Sequence, residues 1–460
     1  MPRLVTNKPQ LEGDELSKEA DSGEGVSMDL ETTLYGGGTA PVKSDANPQS
    51  RRPRKRPIPA FQIVVMMERR ASTARSAAAS PRLGETLVDM LVSGEAIDVF
   101  ADEATRGTAA HSSATNTASD PLPRVFAVDA TDERKAREML ELLTSENPSA
   151  TVYVAPPRSL QPRTTQARVS GARAASAALP PKVLSHWGMT LVGVDSLTID
   201  ASQVRVAVVD SGVDEDHPDL KDAIESYDNF TSESKRDQSG HGTHVCGIIA
   251  ARGDPATGMK GVCNARLLVY KGLGKYYQPD VYFQALQKAI DGPAAIVNLS
   301  LGGSDEDPLE TVLIQRAVRK GKTVIAAMGN DFDVGNPTFY PASLEGVIAV
   351  GAIGDACARG TFSNTGSHIA LVAQGVQILS TAPTTPGDLF GKRTLLAECD
   401  GTSMSAPFVT GVAALLAAQA GNGTGIRAKL HMNPCPGQTS HDEELGWGYL
   451  CWTGVSTLPP

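Results

Sequence analysis

Three residues of this chain are of the types that together make a working nucleophile: Asp210, His241 and Ser403. A serine hydroxyl is a poor nucleophile at neutral pH. It needs a base to take its proton, and the base needs a carboxylate to orient it. Ser403 opens the stretch DGTSMSAPFVTGVAALL at 400–416, small polar residues followed by an uncharged apolar run. Val409, Val412, Ala413 and Leu416 recur at helical spacing, which predicts a buried helix with Pro407 in its first turn. A helix N-terminus carries unpaired N–H groups and partial positive charge, so a developing oxyanion beside Ser403 would find donors. The same stretch also reads as an N-cap serine on a core helix. Asp210 follows the apolar run VRVAVV at 204–209, at the edge where a parallel sheet places its chemistry. It also reads as a turn Asp or a helix cap. His241 lies in SGHGTHVCGIIA between Gly240 and Gly242, small neighbours that let an imidazole approach another group. His244 competes for its role. The two could pair on a metal, but no carboxylate or Cys stands at zinc-site spacing beside them.

The elements that must position these residues follow from pattern. Short apolar runs at 204–209, 267–270, 295–299, 323–327 and 346–351 predict strands. Helical patterns at 245–250, 280–290 and 309–320 separate them. Nearly continuous apolar strands alternating with helices imply an α/β fold, a mostly parallel sheet with helices on both faces. Upstream, 61–67, 96–100, 124–128 and 151–155 read as strands, and 83–92 and 132–145 as helices. Their order, β-α-β-β-α-β, is the split ferredoxin-like α+β arrangement. A Ser/Thr/Ala-rich insertion, 101–123, interrupts it as a loop.

Four regions result. Residues 1–59 are polar and rich in Gly, Pro and Ser, and are expected to be disordered, with the basic cluster RRPRKR at 51–56 as a solvated linker. Residues 60–156 form the small α+β unit, 157–184 an Ala/Arg/Pro/Ser-rich linker, and 185–460 the α/β domain. Hydrophobic residues at 41% allow a large core, and 44 Gly suit close helix–strand contacts. A net charge of −10 gives no reason to expect nucleic-acid binding. Without a run of 18 apolar residues or an apolar leader, neither a membrane span nor a signal peptide is expected, which favours a cytoplasmic place over a secreted one; a monomer is expected. Six Cys without metal spacing read as reduced thiols, with a Cys435–Cys451 bridge as the alternative for an exported chain.

Five segments in order carry a resemblance: VAVVDSGVDEDHPDL around Asp210, GHGTHVCGIIA around His241, VNLSLGG at 297–303, AAMGND around Asn330, and GTSMSAPFVTGVAALL around Ser403. With FSNTG at 362–366 they span about 185–420. The chain resembles the subtilisin-like serine proteases, the subtilases. The order Asp, His, Ser is the known one for subtilisin.

The resemblance implies a serine endopeptidase of broad specificity acting on polypeptides, made as an autoprocessed precursor. Ser403 would attack the scissile carbonyl, His241 would carry the proton and Asp210 would hold the imidazole. Asn330 would donate to the oxyanion. Ser300, Leu301 and Gly302 would form an edge along which substrate adds as a strand, with 272–275, beginning at Gly272, opposite. Residues 60–156 would be an inhibitory propeptide ending in TVYVAP, and SHWGM at 185–189 would begin the mature enzyme. GWGYL at 446–450 resembles the family's last Gly-rich turn. No cofactor is needed for the chemistry, while Asp219 and Asp254 would hold a structural calcium. Phe339 falls where subtilisin has a small residue under the pocket for the side chain beside the cleaved bond. It either makes that pocket shallow or turns into the core. Cys246 and Cys399 are expected as small core residues.

A catalytically silent subtilase fold used for binding is the competing function, and the presence of all four catalytic residue types disfavours it. A lipase-type hydrolase fails for want of a G-x-S-x-G turn around Ser403.

Overall fold

The structure is a computed structural model describing residues 61–67, 83–93, 96–101, 122–160, 187–254, 257–385, 388–390, 394–420 and 425–459. The 1–59 region with its basic cluster, residues 102–121 of the insertion, and residues 161–186 lie outside these.

The upstream unit runs β1 (Phe61–Met67), α1 (Glu85–Ser93), β2 (Ala96–Asp98), β3 (Arg124–Ala130), α2 (Glu133–Glu146) and β4 (Ala150–Val154). The sheet order is β2-β3-β1-β4 with antiparallel pairs throughout, the split ferredoxin-like topology. Every residue of β1 is buried. Ile63 and Val65 pack with Leu87, Met139 and Leu143 of the two helices. Val64 and Met66 join the cluster of Tyr282, Leu286 and Leu309 in the larger α/β unit. A strand covered on both faces has no polar alternation, which is why FQIVVMM reads as one apolar run.

The larger unit runs α3 (Trp187–Val192), β5 (Arg205–Asp210), β6 (Ile224–Asn229), α4 (His241–Ala250), β7 (Arg266–Lys271), α5 (Pro279–Asp291), β8 (Ile296–Leu299), α6 (Pro308–Arg319) and β9 (Thr323–Ala327). It continues with β10 (Ile348–Ile353), β11 (Leu371–Gln374), β12 (Ile378–Thr381), β13 (Leu396–Cys399), α7 (Thr402–Ala420), β14 (His431–Asn433), β15 (Tyr449–Leu450) and β16 (Ser456–Thr457). The sheet is ordered β6-β7-β5-β8-β9-β10-β11-β15-β14-β16 and is parallel from β6 to β15. Only β14 pairs antiparallel with its two neighbours. Successive residues of each central strand belong to different cores. Val206 and Val208 pack with α4 and α7, Ala207 and Val209 with α5 and α6. The chain is therefore an α/β protein with a mostly parallel sheet covered on both faces.

Three parts of the fold differ from the sequence expectation. The strand β6, IESYDN, is polar because it is the sheet edge, and only Tyr227 is buried. The β12–β13 hairpin has no counterpart in the sequence reading; Ser380 and Thr381 donate to the carbonyls of His244 and Thr243 at 2.7 Å, clamping α4. Residues after α7 form the short antiparallel edge, with Gly446 bridged to Leu371 and Asp442. One described helix, α7, is long and apolar enough to cross a membrane by length and composition, but its most apolar window is 83% buried inside the protein.

The cysteines also differ. Cys357 and Cys435 form a disulfide, while Cys451 is a free buried thiol, so the Cys435–Cys451 pairing is corrected. The 357–435 pair has its Cα atoms 5.7 Å apart, within bonding reach. Cys246 and Cys399 are buried in the core beneath α4 and α7. Burial first, and then the nearby carboxylates Asp210 and Asp237 for Cys246 and Asp400 for Cys399, push their thiols up, Cys246 well above its ordinary value.

Candidate active site

Asp210 is the last residue of β5 and His241 the first of α4. Both are fully buried. His241 Nδ1 lies 2.8 Å from Asp210 Oδ1, which also accepts from the Ser211 amide at 2.7 Å. Facing a carboxylate, Nδ1 carries the proton, which leaves Nε2 as the basic nitrogen. Among the described residues Nε2 makes no hydrogen bond. The approach of the two elements needs Gly242, because a Cβ there would stand 2.0 Å from the Gly212 carbonyl oxygen.

Asp237, which sequence reading missed, builds the turn that delivers His241. It is fully buried and accepts from Ser211 Oγ (2.9 Å), the amides of Gly240 and Thr243 (2.9 Å each) and Thr243 Oγ1 (2.6 Å). It thus satisfies a first-turn donor of α4 where Gly240 offers no side-chain cap. The available signal was its place four residues before His241, in a polar loop, but nothing in that loop marks one acidic residue over another. His244, the alternative base, points elsewhere. Its Nε2 lies 3.1 Å from the Ala397 carbonyl, and its ring stacks on Phe390. Burial, with the neighbouring His241 adding to it, pushes its pKa down to about 3, so it is neutral. His241 and His244 do not share a site.

Ser403 is the second residue of α7 and 2% exposed. Its Oγ donates to the Ser300 carbonyl at 3.2 Å. Its own carbonyl accepts from Ser300 Oγ at 3.0 Å. Pro407 explains the second bond. It sits inside α7, beyond the first turn where the sequence suggested it, and lacks the amide that would have bonded the carbonyl four residues back, that of Ser403. Ser300 takes the freed acceptor. Asn298 Nδ2 donates to Ser300 Oγ at 3.0 Å and Thr410 Oγ1 donates to Asn298 Oδ1 at 2.8 Å, so β8 and α7 are tied through buried polar groups. Asn330 Oδ1 accepts from the Thr402 amide at 2.9 Å and from Thr402 Oγ1 at 3.0 Å. The other end of its amide, Nδ2, lies 3.3 Å from where a Cβ on Gly401 would be. Asn330 is thus fixed against the start of α7, beside the residue preceding Ser403.

The edge 300–302 is engaged. Ser159 donates its amide to the Gly302 carbonyl at 2.9 Å and Gly302 donates back at 3.2 Å, an antiparallel bridge. Residues 157–160, read from sequence as linker, are therefore bound chain. Further pairs join the same two units. Gln62 and Asp280 exchange two hydrogen bonds, at 3.0 and 2.7 Å. Tyr153 Oη donates to Asp307 Oδ1 at 2.8 Å. Burial beneath this contact pushes the Asp307 carboxyl up to about 6.

Gly272 packs close to the end of β5. Its amide is spent on the Asp210 carbonyl at 3.1 Å, and a Cβ there would be 2.8 Å from that of Ala285. Phe339 is 2% exposed, and its ring lies 2.4 Å from a Cβ position on Gly302 and 2.8 Å from one on Gly329. The buried ring lies between Gly302 of the edge and Gly329 of the Asn330 turn.

The calcium expectation fails its fit. Among the described residues no group of three or more His, Cys, Asp and Glu could hold a metal. Asp219 spends one oxygen on the Asp254 amide at 2.6 Å and the other on Thr257 Oγ1.

The family model described as the subtilase family matches residues 201–448. The chain is 40% identical over 237 residues to the thermophilic serine proteinase of Bacillus sp. (strain AK1), covering 50% of this chain and 56% of that protein. It is 38% identical over 231 residues to the major intracellular serine protease of Bacillus subtilis (strain 168), covering 47% and 69%. It is 37% identical over 226 residues to the subtilisin of Bacillus pumilus, covering 47% and 77%. The matched stretch therefore spans little more than half of the first of these relatives.

Proposed function

Because the chain belongs to the subtilase family of serine endopeptidases, we propose that it hydrolyses peptide bonds through an acyl-enzyme on Ser403. The observation that carries this is the buried His241–Asp210 bond at 2.8 Å with Nε2 left unpaired, facing a chemistry in which a serine stands at a helix start. In the reaction, His241 Nε2 takes the Ser403 proton as Oγ attacks, then delivers it to the leaving amine. Asp210 keeps the Nδ1–H tautomer and stabilises the imidazolium. The oxyanion is met by the Ser403 amide, one of the first-turn donors a helix leaves unpaired, and by Asn330. With Ser403 Oγ resting on the Ser300 carbonyl, substrate binding at that edge must redirect it to His241.

Residues 60–156 act as the chain's own inhibitory propeptide. The pairing of Ser159 with Gly302 supports this, since it occupies the backbone edge a substrate would use. Backbone pairing reads no side chain and favours broad specificity. Self-cleavage within 158–185 would release the site. The Bacillus subtilis relative is named intracellular, which supports an intracellular place of work.

Incubation of the purified chain tests the reading. Wild type should shorten by cleavage between Arg158 and Ser185 and then digest casein, while Ser403→Ala stays intact. Identical behaviour of the two, with no casein digested, would refute it. A second outcome concerns Phe339. With its ring filling the space beneath Gly302, peptides with Phe before the cleaved bond should be cut within about threefold of those with Ala. A preference for Phe of an order of magnitude would show that the ring leaves a deep pocket open.

A further inference from the structure

Arg158 is the side chain next to the bridge that occupies the substrate edge, and it is 2% exposed. Its guanidinium forks onto Glu310, with Nη2 to Oε2 at 2.8 Å and Nε to Oε1 at 3.2 Å. Neither side chain has any exposed surface. Tyr282 Oη donates to the same Oε1 at 2.7 Å, which fixes the carboxylate for a planar, two-pronged partner. Glu310 is in the first turn of α6, so it belongs to the α/β unit, whereas Arg158 belongs to the segment lying on it.

Register says which substrate residue would replace Arg158. Ser159 pairs antiparallel with Gly302. In an antiparallel pair each step forward on one strand is a step back on the other. A substrate in the same register therefore brings the residue two places after Ser159's counterpart opposite Ser300, whose carbonyl touches Ser403 Oγ. The Glu310 pocket then takes the side chain three residues before the one delivered to the nucleophile.

We propose that Glu310 and Tyr282 make this enzyme select polypeptides with arginine at that position, cutting after the third residue that follows the arginine. This rests on the endopeptidase reading above. A buried carboxylate left without its cation is costly, so a leucine there would strand Glu310. Lysine neutralises the charge but lacks the fork. The backbone edge remains permissive, and the selectivity resides in this one pocket.

The test is an internal competition with the full chain. Peptides identical except for Arg, Lys, Gln or Leu at that one position are mixed in one tube, and products are followed by mass spectrometry. The ratio of rates is independent of how much enzyme has shed its N-terminal segment. Arg should exceed Leu on the order of 10²-fold, with the cut after the third following residue. Glu310→Gln should bring the ratio to within about threefold of one, and Tyr282→Phe, which keeps the ring, should lower it severalfold. A wild-type ratio near one while casein is digested overturns the inference and leaves the endopeptidase standing. An unchanged ratio in Glu310→Gln, or in Tyr282→Phe should the former not fold, overturns it equally. Failure to digest casein or any peptide removes the endopeptidase reading, and this inference with it.

Discussion

His241→Ala, Ser403→Ala and the double variant should share one residual rate, on the order of 10⁶-fold below wild type, the size known from subtilisin itself. The reason is that nucleophile and base act as one unit. Without His241 the Ser403 hydroxyl keeps its proton, which in the resting geometry points at the Ser300 carbonyl. Without Ser403 the imidazole has nothing to activate. Removing the second partner after the first therefore costs nothing more. Asp210→Asn should be milder, on the order of 10⁴-fold, because the imidazole stays but an amide at Oδ1 no longer selects the Nδ1–H tautomer. His244→Ala tests the assignment from the other side. It removes a neutral, buried ring that touches Phe390 and Ala397, so it should lower stability without this loss of turnover. The measurement is kcat/KM on one fluorogenic peptide for wild type and all five variants. A double variant that multiplies the single losses, or a His241→Ala enzyme within about 10²-fold of wild type, would show that these residues do not form one unit.

The sequence was most readable where local chemistry and tertiary placement agree. Asp210 ends a strand apolar on both faces, and the pattern that predicts the strand also predicts the edge where the carboxylate emerges. The β1 run is legible for the same reason. It was least readable where a residue's meaning depends on a partner far along the chain. Asp237 is an ordinary loop acid until α4 is built above it. Gly272 gives no local sign that its amide is used by the Asp210 carbonyl. Pro407 is a matter of register: one turn further in than a first-turn proline, it frees the Ser403 carbonyl for Ser300. The 357–435 disulfide joins positions 78 residues apart and has no local signature. Likewise Arg158 lay in an unpatterned Ala/Arg/Pro/Ser stretch, and only the bridge to Gly302 gives it a place.

Asn330 allows its two functions to be separated. Its Oδ1 caps the start of α7 by accepting from Thr402, and the proposed second function is donation from Nδ2 to the oxyanion. Asn330→Ala removes both. It should lose roughly 1 kcal/mol of stability through the cap, and turnover should fall on the order of 10²–10³-fold, as for a lost oxyanion donor. Asn330→Asp keeps the acceptor that Thr402 uses and replaces the donor with a negative oxygen. The cap argument alone predicts a near-normal enzyme, whereas the oxyanion argument predicts a loss at least as large as for alanine, since an anion then faces the developing charge. In both variants KM should stay within about threefold, because the interaction forms only when the carbonyl becomes tetrahedral. Thermal unfolding and steady-state kinetics on the same preparations decide it. An Asn330→Asp enzyme with near-wild-type turnover would reduce Asn330 to a helix cap, and the oxyanion would then rest on the Ser403 amide and the field of α7 alone.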